Sequence, residues 1–219
     1  MRDNLHLLQQ MDNHRVAQED KQFLHQNDID FNFIICLKME NTTIHKHPIL
    51  TNPMIWVDCE MTGLNLAKNH IIEIAVIVTD GADLEKRILG PELVINCSDL
   101  ELQGMDAWCT KTHKESGLVD KVRASVVTLS QAEDLIIEFL TEECGLKPFT
   151  CPLAGNSIGE DKKFIQKDMP KLYNFIHYRV IDVSTIKELC KRWYPTLPDF
   201  PKKLSHRALD DIIESIGEL

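Results

Sequence analysis

Residues 54–64, Met-Ile-Trp-Val-Asp-Cys-Glu-Met-Thr-Gly-Leu, run an apolar strand directly into two carboxylates one residue apart. Strand side chains alternate with period two, so Asp58 and Glu60 point to the same side. Two like charges held that close repel, and an apolar core offers them nothing. A divalent cation between them removes the conflict, because hard cations such as magnesium prefer carboxylate oxygens. A lone D-x-E is ordinarily a strand end with two solvated acids. The rest of the chain decides between these readings.

The pattern that follows predicts an α/β fold. Residues 70–79 (HIIEIAVIVT) are rich in β-branched side chains and read as a second strand. Residues 87–97 read as a third, interrupted by Gly90-Pro91, with Asp80-Gly81 as a turn before it. A polar helical stretch holding Trp108 and His113 ends near Ser116-Gly117. Ser130 to Glu133 has the form of a capping box ahead of a helix that stops at Gly145. Residues 152–155 predict a short buried strand, and residues 156–169 a helix behind it. Residues 178–183 predict another strand, and Ser184 a cap for a helix over 185–193. A proline-rich loop spans 195–204, and a final helix 206–219. A meander followed by alternating strands and helices implies a mixed sheet flanked by helices.

Residues 1–50 differ in character. They are polar, carry both signs of charge, and read as a poorly ordered extension before a domain at 51–219, with 31–37 as a short strand candidate. The segment has neither the form of a secretory signal nor that of an Arg-rich, acid-poor transit peptide, so the expected setting is intracellular, mitochondrial or cytoplasmic. No apolar run reaches membrane-spanning length. Seven cysteines, an odd count with no C-x-x-C, suggest reduced core residues rather than disulfides or zinc. The formal net charge of -10 makes a poor grip for a long polyanion, which argues against long duplex nucleic acid.

Further titratable groups fall where strand ends and helix starts converge: Asp161, His206, and Asp210 or Asp211, between which spacing alone does not choose. In this order they resemble the DEDD-type 3′–5′ exonucleases whose third motif is H-x-x-x-x-D. The resemblance narrows to the oligoribonuclease family. It rests on V-D-x-E-M-T-G-L at 57–64, A-W-C at 107–109, S-G-L at 116–118 and P-L-A-G-N-S-I-G-x-D-x-x-F at 152–164. H-Y-R-x-I-D-V-S-T-x-K-E-L at 177–189 and S-H-R-A-L-D-D-I-x-E-S-I at 205–216 complete it. It covers roughly residues 53–219; the first 50 have no counterpart.

The resemblance implies an RNase H-like three-layer fold and hydrolysis of dinucleotides and other very short RNA to 5′-mononucleotides. It implies that Asp58, Glu60, Asp161 and Asp211 hold two Mg²⁺ or Mn²⁺ ions, and that His206 is the general base. Imidazole ordinarily titrates near ~6.5, which suits that task. It implies that Leu64 and Trp108 wedge against bases. Ser157, Arg179 and Ser184 then cap the 5′-phosphate, with Tyr178 supplied by the partner subunit of a homodimer. By residue type alone, Ser184 is a helix cap, Arg179 an edge-strand ion pair, and His113 and Lys114 are mostly surface groups. Two other readings are a trimming exonuclease for longer RNA or DNA, which would want a basic track, and a non-catalytic module that kept the fold.

Overall fold

The computed structural model describes residues 47–201 and 206–219. The strand candidate at 31–37 and nearly all of the 1–50 extension lie outside them. Contacts divide the chain at Lys46/His47, and the second unit, His47–Leu219, is the one described below.

Three strands form an antiparallel meander: β1 (Met54–Met61), β2 (Ile71–Thr79) and β3 (Arg87–Val94). Two short strands, β4 (Leu153–Gly155) and β5 (Val180–Asp182), add in parallel on the other side of β1, giving the order β3-β2-β1-β4-β5. All nine residues of β2 are buried, as expected for a strand covered on both faces. β3 continues through Gly90-Pro91 instead of breaking there, with a register shift opposite Ala75/Ile77. Gly90 permits this: a Cβ there would come within 2.5 Å of the Phe139 ring and 2.7 Å of the Val76 carbonyl oxygen.

The helices are α1 (Asp99–Gln103), α2 (Ala107–Glu115), α3 (Leu118–Ala124), α4 (Leu129–Glu138), α5 (Ile158–Asp168), α6 (Pro170–Phe175), α7 (Val183–Trp193) and α8 (Ala208–Glu218). On one sheet face, Ile55, Val57 and Cys59 pack with Ile74 and Val76 against Ile136 of α4 and Phe164 of α5. On the other, Trp56, Ala75 and Ile77 pack against Ala208, Ile212 and Ile216 of α8. Asp58 and Glu60 continue the Trp56 face, so strand alternation delivers them into the layer between the sheet and α8.

Several local expectations are corrected. The cap of α4 is Thr128, whose side chain accepts from the Gln131 N–H while the Gln131 side chain accepts from the Thr128 N–H. Ser130 and Glu133 do not form the box, because Glu133 is drawn inward. Its buried carboxylate accepts from the Lys171 and Leu172 backbone N–H groups and so caps α6. The helical run does stop before Gly145, which follows at φ 65°, but its last turn, Phe139–Glu143, is a π turn. The helix expected at 156 starts at Ile158, and that expected at 206 starts at Ala208. β5 starts at Val180, which is exposed, leaving Tyr178 and Arg179 outside it.

Glu133→Ala is expected to leave two backbone donors unpaired in a buried place, at a cost of about 1–3 kcal/mol. Thermal unfolding should then shift down by about 3–10 °C. An unchanged melting temperature would show that the α6 cap carries no stability.

Candidate active site

The acids meet at the carboxyl ends of the parallel strands, the usual place for a site in an open α/β sheet. β4 pairs with β1 only at Ile55 and Trp56, so the β1 edge beyond is open to α5. There Asp161, one turn into α5, reaches back and accepts from the Cys59 N–H at 3.0 Å. That bond holds the buried Asp161 carboxylate against the segment of β1 that carries Asp58 and Glu60. From the α8 side, single ligand atoms of Glu60, His206 and Asp211 all lie within 4.8 Å of one another. Asp210 is exposed, while Asp211 is half-buried and is the one of the two that belongs to this group.

The electrostatics of this cluster would favour a bound cation. Burial, then Asp211, Glu73 and Asp161, push the Glu60 carboxyl up to about 8. Burial, then Asp161, Glu60 and Asp211, hold Asp58 well above the usual carboxylate range. Burial also raises Asp161, against the pull of the Cys59 N–H. Carboxyls that keep one another protonated gain most from a divalent ion. A set of hard oxygens suits Mg²⁺ or Mn²⁺ better than a thiophilic metal.

His206 does not lie in the first turn of a helix. It precedes α8 at φ 50°, in the left-handed region, and its ring meets the Trp108 ring edge-on at 5.6 Å. Trp108 is 60% exposed and Leu64 73%, so neither is a core residue. Beside Leu64 a cleft opens against α1, lined by Asn65, Lys68, Leu100 and Asp106 among others.

Ser157 and Ser184 come together at the starts of α5 and α7. Their hydroxyls are 3.1 Å apart, and the Ser184 hydroxyl donates to Asn156 Oδ1 at 3.0 Å. Ser184 is not the helix cap. That role falls to Asp182, whose Oδ1 accepts from the N–H groups of both Ser157 and Ser184. Arg179 lies over the ring of Tyr178 at 4.9 Å, and Tyr178 is 71% exposed.

Three further residues, His113, Glu73 and Arg207, stand near the acids. His113 is buried, not a surface group. Its Nε2 pairs with the Met61 carbonyl at 2.9 Å, and its Nδ1 stands 3.8 Å from Glu60 Oε2. Burial lowers its pKa. Lys114 is exposed. Glu73 and Arg207 form a buried ion pair beside the cluster. A signal for Glu73 was present: one acid inside an otherwise apolar strand must have a buried partner.

Residues 55–219 match the RNase T family, described as exonuclease. The mitochondrial oligoribonuclease of Homo sapiens is 52% identical over 168 residues, covering 76% of this chain and 70% of that protein. The oligoribonuclease of Mycobacterium bovis is 49% identical over 172 residues, covering 78% and 79%. This chain belongs to the oligoribonuclease family. As a member it is a 3′–5′ exoribonuclease, a hydrolase of phosphodiester bonds.

Solved structures agree on the fold. Escherichia coli exonuclease I in complex with a dT13 oligonucleotide matches with a TM-score of 0.56 at 16% identity, over 76% of this chain and 40% of that one. Exonuclease I without ligand matches with a TM-score of 0.56 at 14% identity, over 77% and 41%. The chain thus spans about two fifths of those proteins, and the likeness shows the RNase H-like architecture expected of an oligoribonuclease.

Proposed function

We propose that this exoribonuclease acts on very short RNA, dinucleotides to a few nucleotides, and releases 5′-mononucleotides as the last step of RNA degradation. The observation that carries the reading is the convergence of Asp58, Glu60, Asp161 and Asp211 with His206 at one mouth. These four acids would hold two divalent ions, Mg²⁺ or Mn²⁺, which when bound stabilise the attacking and leaving oxygens of an in-line displacement.

The protein's own groups do the rest. His206 takes the proton from the attacking water as general base. Leu64 and Trp108 present exposed apolar faces on which bases stack without regard to sequence. The Ser157 and Ser184 hydroxyls and the Arg179 guanidinium take the 5′-phosphate. Because Asp182 already occupies both serine N–H groups, hydroxyls and guanidinium are what this corner offers an anion. A phosphate held there would limit the substrate to a few nucleotides before the acids, and a net charge of -10 is a poor grip for a longer polyanion.

The same reading makes the active species a homodimer, with Tyr178 completing the partner's site. It assigns the activity to the domain from about residue 51, with residues 1–50 as an extension dispensable for turnover. The setting is intracellular, mitochondrial or cytoplasmic; among the described residues no helix is long and apolar enough to cross a membrane.

The test is nucleotide release with Mg²⁺ or Mn²⁺, from a dinucleotide and from a long RNA, by the full chain and by one starting at His47. Ion-dependent turnover strongly favouring the dinucleotide, equal for both chains, is expected. Equal or better turnover of the long RNA would assign the chain to trimming instead. No turnover of either would leave a binding module. Loss of activity on shortening would refute a dispensable extension.

A further inference from the structure

His206 occupies a backbone conformation that side-chain-bearing residues rarely adopt, and such conformations persist only where the surroundings over-determine them. What surrounds it is unusual. The residue that follows, Arg207, is the N-cap of α8 yet makes no side-chain cap bond to that helix. Its guanidinium instead turns to the sheet, where Nε donates to both Glu73 oxygens at 3.0 and 3.1 Å. Nη2 donates to Glu73 Oε1 at 2.5 Å and to Glu92 Oε1 at 2.8 Å. The Ala208 N–H points to Glu73 Oε2 at 3.4 Å, so a carboxylate from β2 serves the α8 N-terminus from outside.

The register explains why these groups meet. Glu60 of β1 lies opposite Glu73 of β2, and Glu92 of β3 lies opposite Ala75, two residues on. Glu60, Glu73 and Glu92 therefore form a row on the sheet face that α8 covers. The first faces the site, and the other two grip the residue between His206 and the helix that carries Asp211. Glu73 is fully buried and the Arg207 side chain only 16% exposed, so water competes little for these bonds.

We propose that Glu73 and Arg207 are positioning residues for this reaction: the pair fixes the left-handed turn that aims the His206 imidazole at the acid cluster. The proposal rests on the reading of His206 as general base. Arg207 touches no reacting atom; it acts through the backbone on either side of it. Lysine cannot take its place, because a point charge on a flexible stem cannot bridge two carboxylates in one plane.

The experiment is a double-mutant cycle read as kcat and KM on a dinucleotide with saturating Mn²⁺. Arg207→Lys keeps a cation opposite Glu73, and kcat is expected to fall about 10- to 100-fold, as for a misaimed group. KM should stay within about threefold, since substrate contacts are untouched. In a His206→Ala background the same change should cost nothing further, because groups acting as a unit are not additive. Equal losses in both backgrounds would overturn the proposal and leave the role of His206 standing. A His206→Ala protein with unreduced kcat would overturn that role and the proposal together. If Arg207→Lys melts more than about 10 °C early, Glu73→Gln/Arg207→Gln takes its place in the cycle. Removing both charges of a buried pair is tolerated better than removing one. The same outcomes then decide.

Discussion

Glu60→Gln and Asp161→Asn proteins are expected to lose turnover by at least about 10²- to 10³-fold, yet to melt at higher temperature than the parent when metal-free at pH 8. Both changes keep the shape of the side chain, and an asparagine at 161 can still accept from the Cys59 N–H. What they remove is one charge from a crowd of four. Glu60 shows the sign of the effect. Its carboxyl titrates at about 8 in the fold, against 4.5 for the free group. Between those values the unfolded chain has lost the proton and the folded chain retains it. Stability therefore falls as pH rises through that window. For a shift of this size the loss is on the order of a few kcal/mol.

A divalent ion reverses the slope, because it binds the ionised ligands and releases their protons. Melting temperatures from pH 5 to 8.5, with chelator and with Mn²⁺, check both halves. The metal-free parent should weaken with pH, Glu60→Gln should weaken less, and the gain from Mn²⁺ should grow with pH. A metal-free parent that strengthens over this range would remove the argument for an acid cluster built around cations. Near-normal turnover by Glu60→Gln would remove Glu60 from the ligand set.

Where the sequence could be read, local periodicity carried the information. Trp56, Asp58 and Glu60 alternate on one strand, so a shared face for the two acids follows from the chain alone, and the structure keeps it. The β-branched run at 71–79 is a strand for the same reason. What could not be read depends on partners distant in the chain. Glu133 looks like a capping-box acid until α6 arrives to take its carboxylate. Ser184 looks like a helix cap, but the helix begins at Val183, so Ser184 lies inside its first turn and Asp182 is the cap, which leaves the serine hydroxyl facing Ser157. His113 sits in a polar helix, and only the Met61 carbonyl 52 residues earlier reveals that its face is buried. His206 would join a helix by propensity; Glu73, 134 residues before Arg207, holds the chain out of it.

Mixing two impaired proteins is expected to restore activity if the site is shared between subunits. Tyr178 motivates the experiment. Its ring is 71% exposed, stacks on its own His177 at 4.4 Å and carries the Arg179 guanidinium at 4.9 Å. An exposed aromatic outside β5 and outside the core is fitted to receive a base, and loss of such stacking costs about 1–3 kcal/mol per base. The Lys162 ammonium, 2.6 Å from the Tyr178 carbonyl oxygen, ties this segment to α5, so Tyr178→Ala should leave the fold intact. Tyr178→Ala and Asp58→Ala proteins are each assayed alone, then mixed and allowed to exchange subunits. If Tyr178 completes the partner's site, a mixed dimer gathers both defects into one site and leaves the other whole. About half the parent turnover per mixed dimer should return, a gain fixed by the geometry of sharing. If Tyr178 serves its own subunit, every site in the mixed dimer carries one defect. Mixing then restores nothing, and the shared site is refuted.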